Sequence, residues 1–351
     1  MAPSKINAAL IGLGRIGWML ESDPYRYHPC THAGSLLHPT LSGRFRLVAG
    51  CDIDEVRCMR FGRFAKKHGQ AVDVYDSIDT FVEAIRKKEL TVEFAVLATG
   101  PDSHPELFRR LLAVGVRDFL IEKPVALHSK QARQMLRLGE KYGATVRVNF
   151  ERRYHPAYAL VRKLIDSQRF GELCHIEGRV LAPSLRRDAL LEDAVHWIDL
   201  LLWYAGEPIG VRSSFRLDEK RREKGSLHVF HYDGFDAVLE SGGMRRYFEF
   251  FMRLDFERGR VIAGNDGHFH FESRASRRYK GFYDLQPVPV RLSKKEQAMN
   301  PWLELYREIA GKDGMRSSLE QAVTGMEWID RCRRFSGSGY RWPCRPPAPD
   351  R

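Results

Sequence analysis

Over the first 150 residues, short apolar runs alternate with longer stretches whose apolar positions recur every three or four residues. The apolar runs 6–11, 45–52, 94–99, 119–122 and 145–150 predict strands. The amphipathic stretches 55–68, 78–87, 105–114 and 129–142 predict helices between them. Strands this rich in Val, Ile, Leu and Phe are covered on both faces. Strand–helix alternation of this kind therefore predicts a doubly wound parallel sheet.

The pattern changes near residue 150. A helix is expected over 156–167, a strand over 174–181 and an apolar helix over 190–205. From 210 to 292, β-compatible runs are separated by turn signals such as Ser241-Gly242-Gly243 and Gly264-Asn265-Asp266-Gly267. Helical periodicity returns over 301–310 and 318–335, where Ser318 and Gln321 have capping-box spacing. The expected organisation is an α/β dinucleotide-type domain over 1–150 and an α+β domain with a large, mainly antiparallel sheet over 151–340. A loose tail, rich in Gly, Pro and Arg, is expected over 341–351.

Composition narrows the classes. Hydrophobic residues make up 43% and charged residues 29%, as in a soluble globular chain. The most apolar stretch, 197–205, is short and interrupted by Asp199, so no membrane partner is expected. The first apolar run leads straight into glycines and not into a signal cleavage site. The six cysteines show no CxxC spacing, which points to reduced thiols, no metal centre and a cytoplasmic location. The net charge of +12 comes from short basic clusters without a helix-turn-helix or finger pattern, so no nucleic-acid partner is expected.

Directly after the first strand stands Gly12-Leu13-Gly14-Arg15-Ile16-Gly17, a G-x-G-x-x-G turn. In such a turn the first glycine permits a tight bend and the second admits a pyrophosphate. The third lets the following helix pack closely, its N-terminus facing the phosphates. Asp52, with Ile53 after it, ends the second strand. Its carboxylate would accept both ribose hydroxyls and repel a 2′-phosphate, which favours NAD while leaving NADP possible. The spacing from Gly17 to Asp52 is 35 positions, where about 20 is usual. The excess falls within 18–44, as a longer crossover or an inserted loop. That stretch holds His28, His32 and His38, whose spacing matches no standard metal site.

Three further motifs follow in order: Ala98-Thr99-Gly100-Pro101-Asp102-Ser103-His104, Glu122-Lys123-Pro124, and Glu192-Asp193-Ala194-Val195-His196-Trp197-Ile198-Asp199. With the glycine turn, residues 149–156 and Asn300-Pro301-Trp302, the chain resembles the family of glucose-fructose oxidoreductase, inositol dehydrogenase and rhizopine catabolism proteins. The resemblance implies a Rossmann domain, an open-sheet second domain and an active site between them. It also implies a homodimer or homotetramer formed through the outer face of that sheet. The implied chemistry is hydride transfer between a nicotinamide and a hydroxyl-bearing carbon of a sugar, cyclitol or nucleotide sugar.

Oxidising a secondary alcohol needs a base while hydride leaves the carbon. The His196 imidazole suits that task, and Lys123 would stabilise developing charge on the same oxygen. The family has aspartate four positions before the histidine, where this chain has Glu192. Asp193 sits three before, and either carboxylate could orient the imidazole or hold a substrate hydroxyl. By the resemblance, Arg15, Ile16, Thr99, Pro101, His104 and Glu122 would lie along the cofactor. Arg153 and Tyr154 would face the substrate. Two other readings stay open: a cofactor-retaining glycosidase and a non-catalytic dinucleotide sensor.

Overall fold

The computed structural model describes residues 4–183, 188–219, 223–243, 245–311 and 314–334. The expected tail over 341–351 and the basic clusters at 186–187 and 220–222 lie outside the described residues.

In chain order the elements begin β1 (Ile6–Ile11), a 3₁₀ turn (Met19–Ser22), α1 (His32–Leu37), β2 (Phe45–Cys51), α2 (Glu55–Lys67), β3 (Asp73–Tyr75) and α3 (Ile78–Arg86). Then come β4 (Phe94–Leu97), α4 (His104–Ala113), β5 (Asp118–Ile121), α5 (Ser129–Tyr142), β6 (Thr145–Val148), a second 3₁₀ turn (Glu151–Tyr154) and α6 (Pro156–Asp166). The later part has β7 (Leu173–Leu181), a π-helical turn (Leu190–Ala194), α7 (Val195–Ala205), β8 (Gly210–Leu217), β9 (Glu223–His231) and β10 (Asp236–Gly242). It continues with β11 (Glu249–Phe256), β12 (Gly259–Gly264), β13 (Gly267–Ala275), β14 (Tyr283–Val288), α8 (Lys294–Gln297), α9 (Pro301–Gly311) and α10 (Leu319–Arg334).

Two compact units result. One comprises the chain through Arg169 with Ile198–Tyr204 and Pro289–Glu327; the other holds Phe170–Trp197, Ala205–Val288 and the chain from Trp328. The first unit contains a six-stranded parallel sheet in the order β3-β2-β1-β4-β5-β6, the doubly wound order. The central strands are apolar throughout because helices cover both faces: every residue of β4 is buried. The helices turn one stripe inward, as α2 does with Cys58, Phe61 and Ala65. Asp54 and Ser77 cap α2 and α3 through their side-chain oxygens. Ser318 and Gln321 exchange the two hydrogen bonds of a capping box, as their spacing predicts. The short strand β3 has no counterpart in the sequence expectation, its three residues being too few to show a period.

The larger difference lies after the glycine turn. No long helix follows Gly17: a 3₁₀ turn forms, and α1 begins only at His32. Pro24, preceded by Asp23, stops helical continuation. Yet the backbone N–H groups of His32 and Ala33 donate to the carbonyls of Ile16 and Gly17. Helix α1 thus resumes the ladder that the glycine turn starts, and residues 18–31 loop out between. Without those 14 residues the spacing from Gly17 to Asp52 becomes 21, close to the usual value of about 20.

The second unit is built on an eight-stranded sheet, β14-β13-β12-β11-β7-β10-β9-β8, antiparallel throughout except for β7 with β10. Strand β11 alternates strictly, turning Phe250, Met252, Leu254 and Phe256 inward. The Gly264–Gly267 signal forms the hairpin between β12 and β13, Gly267 taking φ +118°. Against this sheet lies the fully buried Trp197. A Cβ on Gly178 of β7 would stand 1.9 Å from its Nε1, so glycine there is what lets the indole approach the backbone. Gly178→Ala should therefore destabilise the protein by about 1–3 kcal/mol, the range for overpacking a filled site, read as a lower urea midpoint at unchanged slope.

Candidate functional site

The residues expected to hold a dinucleotide gather at the carboxyl ends of the strands in the first unit. Gly12 follows β1 and adopts φ +100°; a Cβ there would meet the Ala98 carbonyl oxygen at 2.5 Å. Gly17 packs as tightly, a Cβ standing 2.3 Å from the Gly12 oxygen. At Gly14 the nearest atom to such a Cβ is the tip of Arg57, 3.7 Å away, so this side of the turn has room. Two glycines close the bend and the third leaves a cradle, which fits a pyrophosphate.

Asp52 lies against this turn. Its Oδ2 accepts the Leu13 N–H at 2.7 Å and its Oδ1 accepts the Asp54 N–H at 3.0 Å. The sequence reading missed Arg57, whose Nη1 is 3.7 Å from the Asp52 carboxylate; its helical position after Asp52 was the available signal. Arg15 and Ile53 are exposed, Ile53 by 89%, and Ile16 packs partly against the core. Thr99 and Pro101 are partly exposed in the loop after β4, where Thr99 Oγ1 and Ser103 Oγ lie 2.7 Å apart. Lys123, partly exposed, follows β5.

Four expectations need correction. His104 is wholly buried, and its ring nitrogens face the carbonyls of Val125 and Thr99 at 3.3 and 3.1 Å. It braces two loops from behind, and burial lowers its pKa, keeping it neutral. Arg153 is 2% exposed and forms a two-pronged ion pair with Asp199, at 2.9 and 2.8 Å. Its Nη1 donates to the Arg316 carbonyl and to Gln321, so the guanidinium is engaged by protein rather than by substrate. Tyr154 is fully buried and donates to Glu308 at 2.7 Å. A double-arginine run at a predicted boundary reads as exposed charge, and the partners of Arg153 lie 46 to 168 positions away.

Glu122 is the fourth. Its carboxylate faces the interior, 6% exposed, instead of lining a cofactor surface. Oε1 accepts Asn149 Nδ2–H at 2.6 Å and His32 Nε2–H at 3.0 Å, and Oε2 accepts the Lys123 backbone N–H at 3.1 Å. His32 is itself fully buried, and the Tyr306 hydroxyl lies 2.8 Å from its Nδ1. Both ring nitrogens of His32 thus have a partner within the chain Tyr306–His32–Glu122. His32, Asn149 and Tyr306 were not expected at the site. Only their convergence in space gives them a role, and no spacing signals it.

In the second unit, the π-helical turn carries Glu192, exposed, and Asp193, partly exposed, just before His196, which is 7% exposed on α7. Insertions of this π type are frequent at functional sites. Asp199 does not serve there, since it pairs with Arg153.

Comparison with known proteins fits this geometry. Residues 6–150 match a family described as an oxidoreductase family with an NAD-binding Rossmann fold. Over these residues the chain is similar to that family. An inositol 2-dehydrogenase of Rhizobium meliloti (strain 1021) is 27% identical over 213 residues, covering 51% of this chain and 63% of its own. The chain matches 52% to 63% of the length of the first such relatives. The aldose-aldose oxidoreductase of Caulobacter crescentus, solved with glycerol, superposes at a TM-score of 0.74 with 15% identity, over 95% of this chain and 98% of that one. The WlbA dehydrogenase of Bordetella pertussis, solved with NADH and UDP-GlcNAcA, gives 0.71 with 18% identity, over 95% and 97%. At these identities the structural likeness establishes the fold.

Two outcomes test the assignments of buried charge. Burial alone would raise the Glu122 pKa, but the hydrogen bond and charge of His32, the Asn149 bond and the charge of Lys123 outweigh it and hold the carboxyl below its ordinary 4.5. A depressed carboxyl stabilises the fold above its unfolded value and loses that contribution as pH falls. Glu122→Gln should therefore cost about 1–3 kcal/mol at pH 7. The gap from the unmodified protein should narrow as pH drops below 4.5, followed by thermal melts across pH. Asp199→Ala strands the Arg153 guanidinium and should cost about 3–5 kcal/mol in urea unfolding, the size expected for half of a buried ion pair.

Proposed function

We propose that the protein is an NAD-dependent dehydrogenase or reductase. It would move a hydride between the nicotinamide and a secondary hydroxyl or ketone of a sugar, cyclitol or nucleotide sugar. One observation carries this reading. The glycine cradle after β1, Asp52 after β2, Thr99 after β4 and Lys123 after β5 all stand at the carboxyl edge of one parallel sheet, around the switch point between β1 and β4.

Gly12, Gly14 and Gly17 would hold the pyrophosphate, Asp52 the adenosine ribose, and exposed Ile53 would offer apolar surface to the adenine. Bound NAD would supply the hydride acceptor. Asp52 is the ground for NAD over NADP, because a second negative charge beside a carboxylate is disfavoured. Arg57 is the feature that would oppose that preference by attracting a 2′-phosphate. Lys123 would donate to the reacting oxygen and steady its developing charge, and His196 would take or return the proton. Glu192 or Asp193 would orient that imidazole. The exposed Leu227, Phe269 and Leu285 on sheet strands of the second unit suit assembly of copies as a dimer or tetramer.

Incubation with NAD and a panel of polyols and nucleotide sugars, followed by NADH absorbance, should reveal turnover. NADH should bind more tightly than NADPH by cofactor fluorescence. Lys123→Ala should lower kcat by roughly 10²–10³-fold while leaving NADH affinity within a few-fold. His196→Ala should lower it by roughly 10²–10⁴-fold. Absence of binding to either cofactor refutes the reading. Release of sugar without net NADH would assign the same site to glycoside cleavage with retained cofactor.

A further inference from the structure

The excursion of residues 18–31 brings three side chains of metal-ligating type together. Glu21, His28 and Cys30 each present one ligand atom, all within 4.8 Å of one another. His28 Nδ1 lies 3.1 Å from Glu21 Oε1 and 3.7 Å from Cys30 Sγ, and Sγ lies 3.9 Å from Glu21 Oε2. A tetrahedral ion with Zn–N and Zn–O bonds near 2.0 Å and Zn–S near 2.3 Å has an N–O edge of roughly 3.3 Å and edges to sulfur of roughly 3.5 Å. The Nδ1–Oε1 and Nδ1–Sγ separations match two edges of such a face to within a few tenths of an ångström.

Hydrogen bonds around the cluster hold the ligand atoms close to each other, Cys30 Sγ also donating to the Leu20 carbonyl at 3.4 Å. His28 Nε2 lies 2.8 Å from the Asp23 carbonyl, which can only accept, so Nε2 is the donor of this bond. The other ring nitrogen, Nδ1, faces the Glu21 carboxylate at 3.1 Å. An imidazole tied through its far nitrogen to a carbonyl is also the usual support for a metal-bound histidine. Glu21 is held in the same manner. Its Oε2 accepts the Cys30 N–H at 3.2 Å and the Thr31 hydroxyl at 2.6 Å, leaving Oε1 turned to His28. The carboxylate lies over Gly34, where a Cβ would come within 2.1 Å of it. Cys30 is 8% exposed and the His28 side chain 37% exposed, so the cluster has a buried floor and an open rim through which an ion can enter.

We propose that Glu21 Oε1, His28 Nδ1 and Cys30 Sγ form a divalent-cation site of the zinc class, with water completing the coordination. A thiolate, an imidazole and a carboxylate together favour zinc over calcium or magnesium. As the ion binds, the Cys30 thiol releases its proton to solvent and the Sγ–metal bond forms; no redox change is involved. The site closes the excursion on itself. Because the Leu20 N–H donates to the Arg15 carbonyl at 3.0 Å, it also steadies the outer side of the glycine turn. The inference stands independently of the proposed hydride transfer.

The test uses the full-length protein after dialysis against a chelator. Titration with cobalt(II) should produce a thiolate-to-cobalt charge-transfer band and tetrahedral d–d absorption, saturating at a single equivalent and bleached by zinc. Cys30→Ser should abolish the charge-transfer band, and Cys174→Ser should keep it. His28→Ala, at the exposed rim, should weaken cobalt binding at least about tenfold and reports even if the Cys30 variant fails to fold. Zinc should raise the Tm of the unmodified protein and leave that of His28→Ala unchanged. The proposal is overturned if no charge-transfer band develops, or if the band survives Cys30→Ser. It is equally overturned if NMR shows His28 as an imidazolium paired with Glu21 and indifferent to added metal.

Discussion

A carboxylate taken out of water must be met by donors, or the charge costs several kcal/mol. Glu122 imposes that requirement on the first unit. Its donors come from α1, from the end of β6 and from its own neighbour, and the histidine among them is in turn held by Tyr306 of α9. Four segments far apart in sequence must reach register before the charge is satisfied. The same bonds fix the backbone at Lys123, so the ammonium that the proposed chemistry needs starts from an immobilised stem. The pair is thus as much a constraint on the reactive edge of the sheet as a source of stability.

The same logic explains why residues 289–327 join a unit built mainly from the first half of the chain. Trp302, Leu303, Leu305, Tyr306 and Ile309 share an apolar cluster with Phe45, Leu47 and Phe94. Apolar burial supplies the driving force but is not directional. Direction comes from polar ties: Tyr306 to His32, Asn300 Nδ2 to the Pro29 carbonyl at 2.9 Å, and Tyr154 to Glu308. Arg153 adds to these by binding Asp199, Gln321 and the Arg316 carbonyl at once. Arginine suits that position, because its planar fork serves several acceptors without bending.

What was legible in the sequence was local. Strand and helix identities followed from period, the cap at Ser318 from spacing, and the cradle from three glycines behind a strand. What was not legible was long-range partnership. Nothing in Arg153-Tyr154 distinguishes a substrate clamp from a buried tie, since the deciding partners are as far as 168 positions away. His104 reads as a loop histidine until the chain folds over it. Glu122 follows a strand whose last residues are buried, and continued burial one step further is decided by His32 and Asn149. The strand β3 falls below the length at which alternation can be seen. Charge and ring type mark a residue as worth attention, and tertiary contacts decide whether it faces a ligand or the core.

The segment 18–31 shows how an insertion can be accommodated without moving the site. Loop length is tolerated when the closing ends are already adjacent, since closure entropy grows only slowly with length. Here the ends are joined by the N–H groups of His32 and Ala33 on the carbonyls of Ile16 and Gly17. The helical turn below the cradle therefore keeps its geometry, and Asp52 keeps its position against Leu13. The cost falls on the excursion itself, which has no strand partner and exposes Tyr25 and Tyr27. Such a loop must be ordered by its own side chains. Glu21 does most of this, gathering Cys30, Thr31 and His28 around one carboxylate. A cation at that point would replace several weak restraints with one strong junction, which is why the chemistry of this loop bears on the stability of the glycine turn beside it.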